Sequence, residues 1–144
     1  VKLPCIIVDL DGTLSDCRWR VHHAHAKDWD EFHKGVEFDE PVSHVLLAVR
    51  QFAILYDVVI STGRPEELRP KTLKWMSEHR VPCKALYMRS AEDFRSVSRV
   101  KRDHLLAIKQ KWDPWLVLED TSSVVKMFRE EGLTVFQVAE EAFP

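Results

Sequence analysis

No apolar stretch of this 144-residue sequence is long enough to span a membrane and no secretory leader opens it. A cytoplasmic location with no membrane partner is therefore expected. The chain opens at Val1 rather than Met, which leaves room for an upstream segment. Cysteine is scarce: Cys5, Cys17 and Cys83 are an odd number without metal-like spacing, and Cys5 and Cys83, set in apolar runs, are expected to be reduced and buried. Neither sign of charge is in excess. Lys plus Arg total 21 against 23 Asp plus Glu, a net charge of -2, which gives no general attraction to nucleic acid. The phosphate loop Gly-x-x-x-x-Gly-Lys-Ser/Thr is absent, so kinase chemistry is excluded from this chain. Internal repeats, low-complexity tracts and interdomain linkers are also missing, and one domain over 1–144 is expected.

What the sequence does contain is a regular alternation. Hydrophobic residues make up 45% and charged residues 31%, the balance of an ordered globular chain. Five short apolar runs stand at CIIVDL (5–10), DVVIS (57–61), KALYM (84–88), WLVLE (115–119) and TVFQV (134–138). Apolar on consecutive positions, they predict strands buried on both faces, as in a parallel sheet. Between them, apolar residues recur at helical spacing over 41–56, 66–79, 97–112 and 121–131, the last stopping at Gly132. The fold class is therefore α/β: a doubly wound, mainly parallel five-stranded sheet. Residues 15–40 form the one irregular segment.

Polar residues gather where these strands end. The first runs into Asp9-Leu10-Asp11-Gly12-Thr13, the second into Ser61-Thr62-Gly63-Arg64, the fourth into Glu119-Asp120, and Lys101 opens the helix before that fourth strand. In doubly wound sheets these ends meet at one edge. Asp9, Asp11, Glu119 and Asp120 together would repel one another without a cation. Ligation by oxygen alone suits a hard ion such as Mg²⁺. Charge is also uneven: six acids and one base lie in 28–40, and seven bases and three acids in 89–111. The two segments read either as differently solvated faces or as a basic rim beside an anion site.

The run DLDGT, the hydroxyl of Thr62, Lys101 and the late Glu119-Asp120 pair resemble, in order and spacing, the four motifs of haloacid dehalogenase phosphatases. STGR (61–64), MRSAEDFRSVSRVK (88–101), EDTSSVVKMFREEGLTVFQVA (119–139) and DWDEFH (28–33) are most similar to the 3′-phosphatase domain of phage polynucleotide kinase/phosphatase and its single-domain relatives. The sequence departs from them at Val97, where they usually carry Asp, and at Thr121, where they carry Arg. The resemblance implies a Rossmann-like core in which neither 15–40 nor 89–100 is long enough for a folded cap, leaving 15–40 as a short flap.

It also implies roles. Asp9 is the expected nucleophile, forming an aspartyl-phosphate, and Asp11 the general acid and base, lending its backbone carbonyl to Mg²⁺. Thr62 and Lys101 would act on the phosphoryl oxygens, with Gly63, Arg64 and Arg89 binding substrate phosphate. Asp120 is the expected direct metal ligand and Glu119 its partner. The expected substrate is a phosphorylated nucleotide or nucleic-acid 3′ end, with a kinase or ligase partner outside the chain. Two other readings stay open: a phosphatase or phosphotransferase for another small ester, and a receiver-like module that binds phosphate without turnover. His22, His23 and His25 are expected to be loop residues, and Trp19 and Trp29 candidates for a substrate mouth.

Overall fold

The computed structural model describes residues 1–142. Strand β1 (Leu3–Val8) leads to a short antiparallel pair, β2 (Ser15–Asp16) and β3 (Glu40–Pro41), which brackets two small helices, α1 (Val21–His25) and α2 (Trp29–Lys34). Then follow α3 (Ser43–Phe52), β4 (Asp57–Pro65), α4 (Arg69–Glu78), β5 (Ala85–Arg89), α5 (Val97–Lys109), β6 (Trp112–Glu119), α6 (Ser122–Glu130) and β7 (Thr134–Gln137).

The five longer strands form a parallel sheet in the order β5-β4-β1-β6-β7. After β1 the chain builds outward through β4 and β5, then crosses back to β6 and β7. The order thus reverses beside β1, and a crevice is expected at the carboxyl ends there. Alternate side chains of one strand feed two cores. Ile6, Val8, Val58, Ile60, Leu116 and Leu118 pack with Leu46 and Val49 of α3 and Trp75 and Met76 of α4. Cys5, Ile7, Val59 and Val117 pack with Leu105 and Ile108 of α5 and with Val124, Val125 and Phe128 of α6. Each such side chain contributes about 1.5–3 kcal/mol of hydrophobic stabilisation, which is why the central strands β1, β4 and β6 are apolar on consecutive positions. The edge strands β5 and β7 are only partly buried, against the expectation of burial on both faces.

Helix α6 ends as the sequence requires: Gly132 takes φ +89°, and the Leu133 N–H reaches back 3.1 Å to the Phe128 carbonyl. Several boundaries differ from expectation; β1 ends at Val8, short of Leu10, and β4 runs on past Ser61 to Pro65. α3 ends at Phe52, and α5 ends at Lys109, so Trp112 opens β6 instead of closing a helix. The Trp112 indole N–H donates to Asp57 Oδ2 at 2.9 Å, joining β6 to the start of β4. The apolar period cannot separate these roles, because Trp112 faces the α5–α6 core in either. Cys5 and Cys17 are buried, whereas Cys83 is only partly so, and all three are free thiols. No helix among the described residues is long and apolar enough to cross a membrane.

Candidate active site

At the end of β1 the backbone turns at once. The N–H groups of Thr13, Leu14 and Ser15 all donate to the Leu10 carbonyl, and Gly12 takes φ +85°. A Cβ on Gly12 would stand 2.2 Å from Asp120 Oδ2, so only glycine fits. The turn brings Asp9 against the end of β6, its N–H bonded to the Leu118 carbonyl. Asp9, Glu119 and Asp120, all buried, each present a carboxylate oxygen within 4.8 Å of the others.

Among the described residues, one cation pairs with two of these three acids. Lys101 Nζ donates to Asp9 Oδ1 at 2.6 Å and to Glu119 Oε2 at 2.7 Å. Glu119 Oε1 accepts the N–H groups of Asp120 and Thr121, so both Glu119 oxygens are committed. Thr13 donates its hydroxyl to Asp9 Oδ2 at 3.1 Å. Burial, and then the charge of Asp9, push the Glu119 and Asp120 carboxyls above their ordinary range. Burial opposes the charge on Lys101, but Asp9 and Glu119 override it and hold the ammonium above the usual lysine value. Three carboxylates facing one ammonium leave negative charge that a hard cation would neutralise, and every donor is oxygen, so the residues fit Mg²⁺.

Asp11 lies outside that group, which corrects the four-acid cluster expected from sequence. Its Oδ1 accepts from Arg20 Nη2 and Arg64 Nη2, both at 2.7 Å, and from the Ser15 hydroxyl. Burial alone would raise its pKa; the two guanidiniums hold the carboxyl well below the usual range. Arg20 also grips Asp39, with Nε 2.8 Å from Oδ1 and Nη2 2.6 Å from Oδ2, and donates Nη1 to the Phe32 carbonyl. Its guanidinium carbon lies 4.2 Å from the Phe32 ring centroid. Arg64 donates to Thr72 Oγ1 as well and is almost wholly buried, instead of standing free at a substrate mouth.

The remaining expected residues lie at the same edge. Thr62 is buried and accepts the Arg64 N–H at 3.1 Å, which leaves its hydroxyl proton to donate elsewhere. A Cβ on Gly63 would meet Val97 Cγ2 at 3.0 Å. Arg89 donates Nε to the Gly63 carbonyl and Nη1 to the carbonyls of Asp93 and Arg95. Trp19 and Phe38 line an open groove on the flap with Asp16, Arg18 and Glu40, and the Trp19 indole N–H donates to Asp39 Oδ1 at 2.9 Å. Trp29 instead sets its ring edge-on to Phe32 at 5.6 Å. His22 and His25 are exposed, and none of the three histidines joins a metal-like cluster among the described residues.

Sequence reasoning missed Arg20, Asp39 and the Ser61–His104 pair. Of these, His104 alone left a signal, three residues past Lys101 on the same helix face. His104 Nε2 donates to the Met88 carbonyl at 3.0 Å, and Nδ1 accepts the Ser61 hydroxyl at 2.8 Å, fixing α5 to β4 and β5. Burial lowers the His104 pKa to about 4 from 6.5. Below pH 6.5 the unfolded chain takes up a proton that the folded chain refuses, so stability falls as pH drops toward 4. The melting temperature should fall from pH 7 to pH 5, and His104→Gln should shrink that fall. An equal fall in the variant would remove His104 as its source.

A parallel sheet of this order, with an aspartate closing β1, a lysine from α5 and an acid pair closing β6, defines a haloacid dehalogenase-like hydrolase. The family model of the polynucleotide kinase PNKP phosphatase domain matches residues 3–143. The chain belongs to that family and is a phosphatase of the haloacid dehalogenase class. Among solved structures, a chain of the Pnkp1/Rnl/Hen1 RNA repair complex is 26% identical with a TM-score of 0.86, over 99% of this chain and 44% of that one. This chain therefore spans less than half the length of that relative. Two more distant structures share the fold. A haloacid dehalogenase-like hydrolase from Streptococcus pneumoniae is 14% identical (TM-score 0.66, 93% of this chain, 83% of that one). The magnesium-bound YfnB from Bacillus subtilis is 11% identical (TM-score 0.65, 99% and 96%). Comparison with curated proteins finds no match.

Proposed function

We propose that the chain is a Mg²⁺-dependent phosphomonoesterase that forms an aspartyl-phosphate on Asp9 and acts on nucleotide or polynucleotide 3′ phosphates, with 15–40 as its flap. The observation that carries the reading is the buried set of Asp9, Glu119 and Asp120, of which Lys101 neutralises Asp9 and Glu119. Mg²⁺ held by Asp9, Asp120 and the Asp11 backbone carbonyl, with Glu119 in support, would neutralise the charge of nucleophile and phosphate.

In the first half of the reaction an Asp9 oxygen attacks phosphorus while the bond to the leaving oxygen breaks, and that oxygen takes a proton from Asp11. For this step Asp11 leaves the guanidiniums of Arg20 and Arg64, which favour its ionised form, takes a proton from solvent and turns toward the leaving group. In the second half, water attacks the aspartyl-phosphate, Asp9 departs, and the proton passes to Asp11, whose ionised form Arg20 and Arg64 favour. Lys101 and the Thr62 hydroxyl steady the phosphoryl oxygens. Gly63 shapes the turn beside them. Arg89 keeps Nη2 for the phosphate, whereas every guanidinium nitrogen of Arg64 already donates to Asp11, Ser15 or Thr72, so Arg64 reaches the phosphate only once Asp11 has turned away.

The 3′-end preference rests on the family and on similarity to the chain from an RNA repair complex, and that complex is in keeping with a partner outside this chain, the expected kinase or ligase among the candidates. One observation favours a short substrate. Of the seven bases in 89–111, Lys101 is buried in the site, Arg89 is bonded to backbone carbonyls, Arg95 pairs with Asp93 and Asp103, and Arg102 pairs with Glu131. That leaves Arg99, Lys109 and Lys111 without an ion pair among the described residues, so the expected basic rim is thin.

Phosphate release from a 3′-phosphorylated oligonucleotide, a nucleoside monophosphate and a hexose phosphate tests this. EDTA should abolish release and Mg²⁺ restore it, with the oligonucleotide or the nucleotide preferred. Undiminished release in EDTA would overturn the metal assignment, and preference for the hexose phosphate the substrate assignment.

A further inference from the structure

Phe94 stands out on the loop between β5 and α5. It is 90% exposed, so it has no part in either core. Its neighbours are nevertheless tied down on both sides. Arg89 Nη1 donates to the carbonyls of Asp93 at 3.0 Å and Arg95 at 2.6 Å, the residues flanking Phe94. The Asp93 carboxylate accepts three bonds from Arg95: its backbone N–H at 3.1 Å, Nε at 3.0 Å and Nη2 at 2.7 Å. Arg95 Nη2 reaches Asp103 on α5 at 2.6 Å, and the Asp93 N–H closes the turn on the Ser90 carbonyl. The loop is thus a braced frame carrying an aromatic ring with no core to pack into.

The frame is fastened to the site. Arg89 Nε donates to the Gly63 carbonyl at 3.0 Å, next to Thr62, and Val97, three residues past Phe94, packs against Gly63. The loop that carries the ring is therefore anchored to the turn proposed to hold the phosphoryl group. A flat apolar face in water, fixed in place before the substrate arrives, suits a nucleobase: every base has a π-face, and a rigid platform loses little entropy on stacking.

We infer that Phe94 is the stacking platform for the nucleobase of the nucleotide that bears the phosphate. The inference rests on the proposed nucleotide or 3′-end substrate. It assigns Arg89 the role of bracing the loop, and it implies a preference for any base over none, with little choice among the four.

The test compares wild type with Phe94→Leu, which keeps apolar bulk without the aromatic face, and Phe94→Tyr, which keeps the face. Substrates are 3′-phosphorylated oligonucleotides with a normal or an abasic terminal nucleotide. Phe94→Leu should raise KM for the base-bearing substrate on the order of tenfold, with kcat little changed. It should show no such loss on the abasic one, and Phe94→Tyr should restore wild-type KM. Melting temperatures should coincide, because the ring is exposed. Unchanged KM in Phe94→Leu, or an equal loss on both substrates, would overturn the inference while leaving the proposed function intact. A wild type that prefers hexose phosphate to the base-bearing oligonucleotide removes both.

Discussion

Asp9→Asn should reduce phosphate release by a factor on the order of 10⁴ or more, the scale on which loss of a covalent nucleophile is felt. The amide is almost isosteric but neutral, and its oxygen does not displace an alkoxide from phosphorus. The fold should persist, because Lys101 keeps Glu119 at 2.7 Å. Without metal the variant should melt above the wild type: Asp9 is the charge that, after burial, raises both Glu119 and Asp120. Rates and melting curves in matched EDTA and Mg²⁺ buffers check both halves. A folded variant with substantial activity would assign the nucleophile elsewhere.

Arg20→Ala should be among the most destabilising single changes in the protein. Arg20 is fully buried and joins Asp11, Asp39 and the Phe32 carbonyl, tying the flap to the catalytic turn. Removing it leaves the buried Asp39 carboxylate with only the Trp19 indole N–H at 2.9 Å and Arg64 at 3.7 Å, and Asp11 with Arg64 and Ser15. Breaking a buried pair from one side costs about 3–5 kcal/mol. Arg18→Ala, two residues away, removes an exposed, solvent-screened pair with Asp16 and should leave stability almost unchanged. Arg20→Lys should recover only part, since an ammonium cannot bridge three partners in one plane. Urea unfolding of the three variants checks this; equal midpoints for Arg20→Ala and Arg18→Ala would refute the buried network. Turnover should fall too in Arg20→Ala, because Asp11 loses one of its two positioning guanidiniums.

The sheet and the edge that holds the candidate site were legible because each strand centres on a short apolar run, and three of these runs end in the polar residues of that site. Asp9, Thr62, Lys101, Glu119 and Asp120 follow from strand ends and a helix start, which a parallel sheet aligns without further information. The second layer was not legible. Arg20 and Asp39 lie in a segment with no period to reveal what faces inward, and Asp39 ends an acid-rich run that reads as a solvated face. Ion pairing is a property of the folded neighbourhood. It turned Asp11 from a metal carboxylate into the partner of two arginines, and reduced the basic segment after β5 to a few unpaired charges. The same blindness applies to Arg89, whose bonds go to carbonyls that only the loop conformation supplies.

The covalent step can be seen directly. Protein quenched in acid during turnover of a 3′-phosphorylated substrate with Mg²⁺ is treated with borohydride, which reduces an acyl phosphate to an alcohol, and its peptides are weighed. The account predicts a peptide in which position 9 has become homoserine, present only with substrate and Mg²⁺ and absent from Asp9→Asn. Reduction at another carboxylate, or active turnover with position 9 never modified, would contradict it.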